Sequence, residues 1–354
     1  MLSELGAVIA GGVSRASRSI LPFLPPVTRA GGSAIHLVNP LVNAFGGSEN
    51  RSIELARSLA VHAPTQLWSD RRVDPRVRQR IAYRNIVPPF AYPRGGNLVF
   101  VGVYYRLGAW LRYVRPRRVI AIFNTPDLAD LHRFQGEMVE YGLGDRVEYV
   151  YASQWLRELA GLPGEVHPSI IDLKRFRPLF KPAARERFVV GRLSRDVPEK
   201  HHPEDPQLWV DLANRGFQVR LMGATCIADS LRGHPCIEVL PVGAEPPEAF
   251  LNSLDVFVYR TDSTQFVEPS GRVVLEALSC GVPVVCDREG GYRETVISGR
   301  TGMFADDSCE IIASLETLRS NSALHIELAR HARSYVEDLF SDVAMEAINR
   351  FFIE

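Results

Sequence analysis

Two glutamates eight positions apart, Glu268 and Glu276, bracket the segment Glu-Pro-Ser-Gly-Arg-Val-Val-Leu-Glu. An ionised carboxylate is a pure acceptor with two oxygens, so it can hold a vicinal diol through two hydrogen bonds. The segment follows an apolar run, Val256–Tyr259, and opens a helical pattern that Gly281 ends. Gly271 clears a side chain from the place where a ligand would approach. The N–H groups of Gly271, Arg272 and Val273, after Ser270, stand at the helix start, where backbone donors are unpaired and the dipole favours an anion. Two acids at this spacing can hold opposite ends of one nucleotide-sugar. From spacing alone, an N-terminal Glu that complements the helix dipole explains the pattern equally well.

A second constellation is Val190-Gly-Arg-Leu-Ser-Arg-Asp-Val-Pro-Glu-Lys200. Gly191 ends a strand, and Arg192 and Lys200 are expected in the loop beyond it, facing the same crevice. A guanidinium and an ammonium there would neutralise a diphosphate and stabilise it as it leaves. Arg195 is the weaker candidate. Ordinary loop solvation is the competing reading of this segment taken alone.

These residues need elements to position them. Ala34–Asn39, Gln66–Ser69, Leu98–Val103, Val119–Phe123 and Val147–Tyr151 read as strands. A helical pattern begins at Ser48, after the loop 40–47. Beyond the Pro-containing stretch Lys181–Ala184 a second series starts, with strands at Phe188–Gly191, Gln218–Met222, Ile237–Leu240, Val256–Tyr259 and Pro283–Cys286. Alternating strands and helices predict an α/β chain of two doubly wound parallel sheets, with ligands at the carboxyl ends of the strands.

Composition agrees. The 354 residues are 46% apolar and 23% charged, which suits two globular domains and excludes a disordered or disulfide-stapled chain. The net charge of zero conceals an asymmetry: residues 1–180 hold 23 Lys and Arg against 14 Asp and Glu, residues 181–354 hold 18 against 27. Five cysteines, all after residue 225 and without a Cys-x-x-Cys pair, read as reduced thiols in a cytoplasmic protein.

Taken together, the segments resemble the GT-B glycosyltransferases of retaining family 4, the group 1 glycosyltransferases. Glu268 and Glu276 match the family's E-x7-E spacing. Gly290-Gly-Tyr-Arg-Glu294 resembles its G-G-x-x-E, and Ser298–Gly302 its downstream turn. Gly191–Lys200 resembles its Arg…Lys clamp, His167–Pro178 its interdomain linker, and Gly46-Gly47-Ser48-Glu49 its N-terminal glycine loop. The resemblance implies a GT-B fold, two Rossmann-like domains facing a cleft with the C-terminal helix crossing back. The domains would be a leader at 1–30, an acceptor domain at 31–172, a linker at 173–186, a donor domain at 187–335 and the crossing helix at 336–354. It implies a retaining, metal-independent transfer in which Glu268 positions the donor sugar, Arg192 and Lys200 meet the diphosphate, and Glu276 takes the ribose. Ser270, Gly271, Arg272, Val273, Gly223, Gly46, Gly47 and Asn124 are the further donor contacts.

There are departures. The linker has Ser169-Ile170 where the family has Asn-Gly, and the Arg-to-Lys spacing is longer than usual. Many members place a His after the fourth strand, where this chain has Asn124, so no histidine is assigned to catalysis. The chain contains no Asp-x-Asp, so no metal site and no cofactor are expected.

Residues 70–118 carry twelve arginines interleaved with aromatic residues. This suits an anionic membrane surface or a phosphorylated acceptor, and equally a solvated basic face. No nucleic-acid motif accompanies it. The apolar leader, broken by Arg15 and Arg18, reads as a packed helix or one lying on a membrane. The expected activity is transfer from a nucleotide-diphosphate sugar, UDP- or GDP-linked rather than ADP-linked, to a glycan or lipid-linked acceptor. The setting would be bacterial surface polysaccharide or lipopolysaccharide assembly, in the cytoplasm or on the inner face of its membrane. A nucleotide-sugar epimerase and a non-catalytic glycan-binding scaffold are the alternatives.

Overall fold

A computed structural model of the chain describes residues 34–179, 187–231 and 233–354. The leader and the Lys181–Ala184 part of the linker lie outside these residues.

The first sheet is built from β1 (Ile35–Val38), α1 (Gly47–Ala60), β2 (Thr65–Ser69), α2 (Pro75–Arg78), β3 (Arg84–Asn85), β4 (Asn97–Val101), β5 (Arg118–Phe123), α3 (Leu128–Glu140), β6 (Val147–Tyr151), α4 (Gln154–Ala160) and β7 (Glu165–Val166). Its seven strands run in the order β3-β2-β1-β4-β5-β6-β7, every pair parallel. β1 and β4 are buried at every position, as strands covered on both faces must be. One apolar layer contains Ile53, Leu55 and Leu59 of α1. The other holds Leu131, Phe134 and Met138 of α3.

The second sheet follows as β8 (Val189–Leu193), α5 (Asp205–Asn214), β9 (Gln218–Met222), β10 (Ile237–Leu240), α6 (Pro247–Ser253), β11 (Val256–Tyr259), α7 (Arg272–Ser279), β12 (Val284–Cys286), β13 (Gly302–Phe304), α8 (Ser308–Ser320) and α9 (Ser322–Leu339). Its order is β10-β9-β8-β11-β12-β13, again all parallel. The last helix, α10 (Asp342–Ile353), returns to the first sheet. Asn97 Nδ2 and Arg118 Nη1 donate to the carbonyls of Phe352 (2.8 Å) and Phe351 (2.5 Å), and Ser58 Oγ to Asn349 Oδ1 (2.8 Å).

The long strands fall within a few residues of their expected places. The edge strands β3, β7 and β13 were not expected, since two or three residues carry no readable alternation.

Both sheets reverse direction of growth beside their first strand, between β1 and β4 and between β8 and β11. Such switch points open crevices at the carboxyl ends of the strands. The loops that leave β1, β5, β8, β9 and β11 carry the glycine loop, Asn124, the Ser194–Lys200 segment, Gly223 and Glu268 respectively, while Arg192, expected in a loop, is still within β8. The topology therefore brings the sequence-scattered candidates to one place.

Candidate active site

A cavity of about 690 Å³ lies between the two sheets and takes lining residues from both. Gly46, Gly47, Glu49, Tyr104 and Asn124 line its N-terminal wall; Lys200, Glu268, Ser270, Gly271, Arg272, Val273 and Glu276 line the other. Phe45 of the glycine loop closes one side, so near to Gly243 that a Cβ there would sit 2.4 Å from the ring.

Glu268 is the hub of the C-terminal wall. Its Oε2 accepts from Lys200 Nζ at 2.6 Å and from the Tyr259 hydroxyl at 2.7 Å, and its Oε1 from the Gly271 N–H at 3.3 Å. Burial alone would raise the carboxyl. The Lys200 charge and these donors outweigh it and hold Glu268 below the ordinary glutamate range. Lys200 closes the 3-10 turn Pro198–Lys200. Its own pKa is pushed down, first by burial, with Glu268 opposing.

The helix start is only partly open. Gly271 adopts a left-handed conformation (φ 61°), and a Cβ on it would lie 2.6 Å from the Cβ of Tyr292. Its N–H, expected to be unpaired, is taken by Glu268. The N–H groups of Arg272 and Val273 have no partner among the described residues. Glu276 accepts from Arg272 Nε at 2.9 Å, while Arg272 Nη1 reaches the Ile170 carbonyl of the linker at 2.8 Å. Burial raises the Glu276 carboxyl, opposed by Arg272.

Two expected positions are corrected. Arg192 does not face the crevice. It is 1% exposed, its guanidinium donates to the carbonyls of Arg260 and Lys200, and it stacks 4.5 Å above the Tyr259 ring. Its two terminal nitrogens tie Arg260 and the loop that presents Lys200, its Nε has no partner among the described residues, and Arg195 lines the cavity instead. Gly223 is also not in the lining. At φ 79° it packs against the Ser194 carbonyl, where a Cβ would sit at 1.9 Å, and its carbonyl receives the Ser194 hydroxyl at 3.2 Å. Met222 before it lines the cavity.

Three features were not read from the sequence. Glu49 is buried in the N-terminal wall, folded back so closely on the glycine loop that a Cβ on Gly46 would lie 2.0 Å from its Oε2. Burial raises its pKa, with Arg195 across the cleft opposing. Arg76 and Arg80 line the same wall. Glu294 of the Gly-Gly-x-x-Glu motif caps α4 in the other domain, accepting the Gln154 and Trp155 N–H groups at 2.8 and 2.7 Å. The motif was visible; that its carboxylate reaches the other domain was not.

Among the described residues no group of three or more His, Cys, Asp or Glu is placed to hold a metal ion, and no helix is long and apolar enough to cross a membrane.

Two parallel α/β sheets facing one cleft are the GT-B fold. Residues 235–336 match the family described as glycosyl transferases group 1. The chain is 26% identical over 186 residues to the Staphylococcus aureus capsular polysaccharide biosynthesis glycosyltransferase CapM, covering 48% of this chain and 47% of that one. It is 31% identical over 195 residues to the D-inositol 3-phosphate glycosyltransferase of Pseudarthrobacter chlorophenolicus, covering 48% and 44%. The chain thus matches about half the length of these curated relatives. The crystal structure of Anabaena Alr3699/HepE in complex with UDP superposes with a TM-score of 0.67 at 16% identity, over 90% of this chain and 99% of that one. Residues 235–336 thus carry the match to the group 1 glycosyltransferases, and the chain as a whole has the GT-B fold.

Proposed function

We propose that the protein is a retaining glycosyltransferase that moves a sugar from a UDP- or GDP-linked donor to a glycan or lipid-linked acceptor in bacterial surface polysaccharide or lipopolysaccharide assembly. The observation that carries this is the convergence of Glu268, Lys200 and Glu276 on one cavity opposite the glycine loop. The acceptor hydroxyl attacks the anomeric carbon from the face the diphosphate leaves. The carbon–oxygen bond to the diphosphate breaks as the new one forms, and a diphosphate oxygen takes the hydroxyl proton. Lys200, Arg195 and the free N–H groups of Arg272 and Val273 balance the departing charge without a metal. Glu268 orients the sugar and Glu276 the ribose. The relatives' names support the class of reaction, and the UDP-bound neighbour supports the donor.

A peripheral membrane position is part of the same proposal. Phe90 (83% exposed), Val87 and Tyr113 stand out from the first domain beside the exposed Arg94, Arg112 and Arg115. Apolar tips within a basic rim suit an anionic lipid surface.

The test is thermal stabilisation by UDP, GDP, ADP and CMP, with and without EDTA. A ligand at about 100 times its Kd adds about 2.7 kcal/mol. A shift with one diphosphate nucleotide that EDTA leaves intact is the expected result. No shift with any of them overturns the donor reading.

A further inference from the structure

The donor chemistry uses only part of the charge in the cleft. Arg76, Arg80, Arg175, Arg195, Lys200 and Arg272 line the cavity against three carboxylates, Glu49, Glu268 and Glu276. Lys200 is paired with Glu268, Arg272 with Glu276 and Arg175 with Glu248. Arg195 lines the wall where the proposed transfer places the diphosphate. Arg76 in α2 and Arg80 just beyond it remain, with no carboxylate in ion-pair contact among the described residues.

Both are held in place without being neutralised. Arg80 Nη2 donates to Asn50 Oδ1 at 2.7 Å and Nη1 to the Ala44 carbonyl at 3.3 Å. Arg76 lies 5.0 Å from the centre of the Phe45 ring. All three anchors belong to the segment 44–50 that forms the glycine loop and the start of α1. Burial and the nearby Arg175 charge depress the Arg80 pKa, with Glu54 opposing and Arg57 and Arg272 adding to the effect. The cluster is therefore rich in positive charge, and an anion would relieve it. Two guanidinium groups on the wall opposite the donor site match a dianion better than a single carboxylate, which one bidentate fork already satisfies.

We propose that Arg76 and Arg80 form an acceptor subsite for a phosphate monoester, so that the acceptor is a phosphorylated sugar, polyol or lipid headgroup. This rests on the glycosyltransferase reading of the cleft. The phosphate would bind beside the glycine loop and leave the acceptor's hydroxyls free to reach the donor sugar. A phosphate monoester carries about −1.5 to −2 charges at neutral pH, which two arginines can meet through paired N–H donors.

The probes are glucose 6-phosphate, glycerol 3-phosphate and monodisperse dioctanoyl phosphatidic acid, each against its neutral counterpart, with glucuronate as a carboxylate control. Binding is followed by calorimetry, with and without whichever nucleotide diphosphate stabilises the protein. The expected result is phosphate-dependent binding, weakened tenfold or more in the R76Q/R80Q variant and in R76Q, whose guanidinium meets only the Phe45 ring among the described residues. Binding of the soluble phosphomonoesters identifies a soluble acceptor, and binding of phosphatidic acid alone a lipid one. Equal binding of phosphorylated and neutral probes, of glucuronate and glucose 6-phosphate, or of wild type and R76Q/R80Q overturns the subsite. The nucleotide response is read separately. Its absence overturns the glycosyltransferase reading, whereas phosphate-independent binding beside an intact nucleotide response overturns the subsite alone.

Discussion

Lys200 Nζ stands 2.6 Å from Glu268 Oε2 with the Phe266 ring centre 3.6 Å away, so the ammonium is held between a carboxylate and an aromatic face. Neither charge is well hydrated, and each depends on the other. Removing one partner of such a pair strands a buried charge, at a cost of about 3 kcal/mol or more. Glu268→Ala is expected to lower both turnover and stability, with kcat falling about a hundredfold or more. The double variant K200M/E268Q should recover most of the stability and none of the activity. Chemical denaturation beside a donor-turnover assay separates the two effects. Turnover within a few-fold of wild type in E268A would refute the assigned role.

Arg192 and Arg195 are three residues apart and should fail differently. Arg192→Met leaves two buried carbonyls without donors, at about 1–3 kcal/mol each, so the melting temperature falls. Arg195→Met touches an exposed side chain and should change stability by about 0.5 kcal/mol or less, while nucleotide affinity drops about tenfold and loses salt dependence. Calorimetric titration at two ionic strengths decides this.

Burial holds His36, His167 and His201 at about 4, against an ordinary value of 6.5. Below pH 6.5 the unfolded chain takes up protons that the native chain refuses. The stabilisation is complete above 6.5 and is lost as the pH falls to about 4, at about 1.4 kcal/mol per pH unit for each histidine. Urea unfolding at pH 7, 6 and 5 should show the decline, and His167→Gln should make it shallower by one proton. An unchanged slope would show that His167 does not contribute.

Glu294 joins the domains by accepting two N–H groups at the start of α4, beside the Ser153 hydroxyl that donates to the Pro269 carbonyl at 2.6 Å. Glu294→Gln keeps the shape and removes the charge. Amide exchange at residues 154 and 155 should rise about tenfold, the equivalent of about 1.4 kcal/mol, a typical charge-assisted bond. Unchanged exchange would place the capping energy elsewhere.

The fold was legible because long apolar strands alternate with helices, and the C-terminal wall of the cavity because Glu268, Gly271 and Glu276 sit within one strand–turn–helix unit. The Arg192 and Arg195 assignments went astray for a physical reason. Two arginines three residues apart look alike in sequence, but Arg192 is still within β8 and Arg195 is in the loop beyond it, so the packing sends one guanidinium to Tyr259 and the other to the cavity. That Glu49, Arg76 and Arg80 line the cleft was hidden by a different cause. Their relation to the donor site is made entirely by the apposition of two domains, over more than a hundred residues of intervening chain.

The return of α10 to the first sheet means that the chain crosses between the domains twice, once through the segment joining β7 to β8 and once between α9 and α10. A body joined at one point can swivel in any direction. Joined at two, it turns about the line through both, as a door turns on a pair of pins. Any opening of the cleft would then follow one path, parting Phe45 from Gly243 along it.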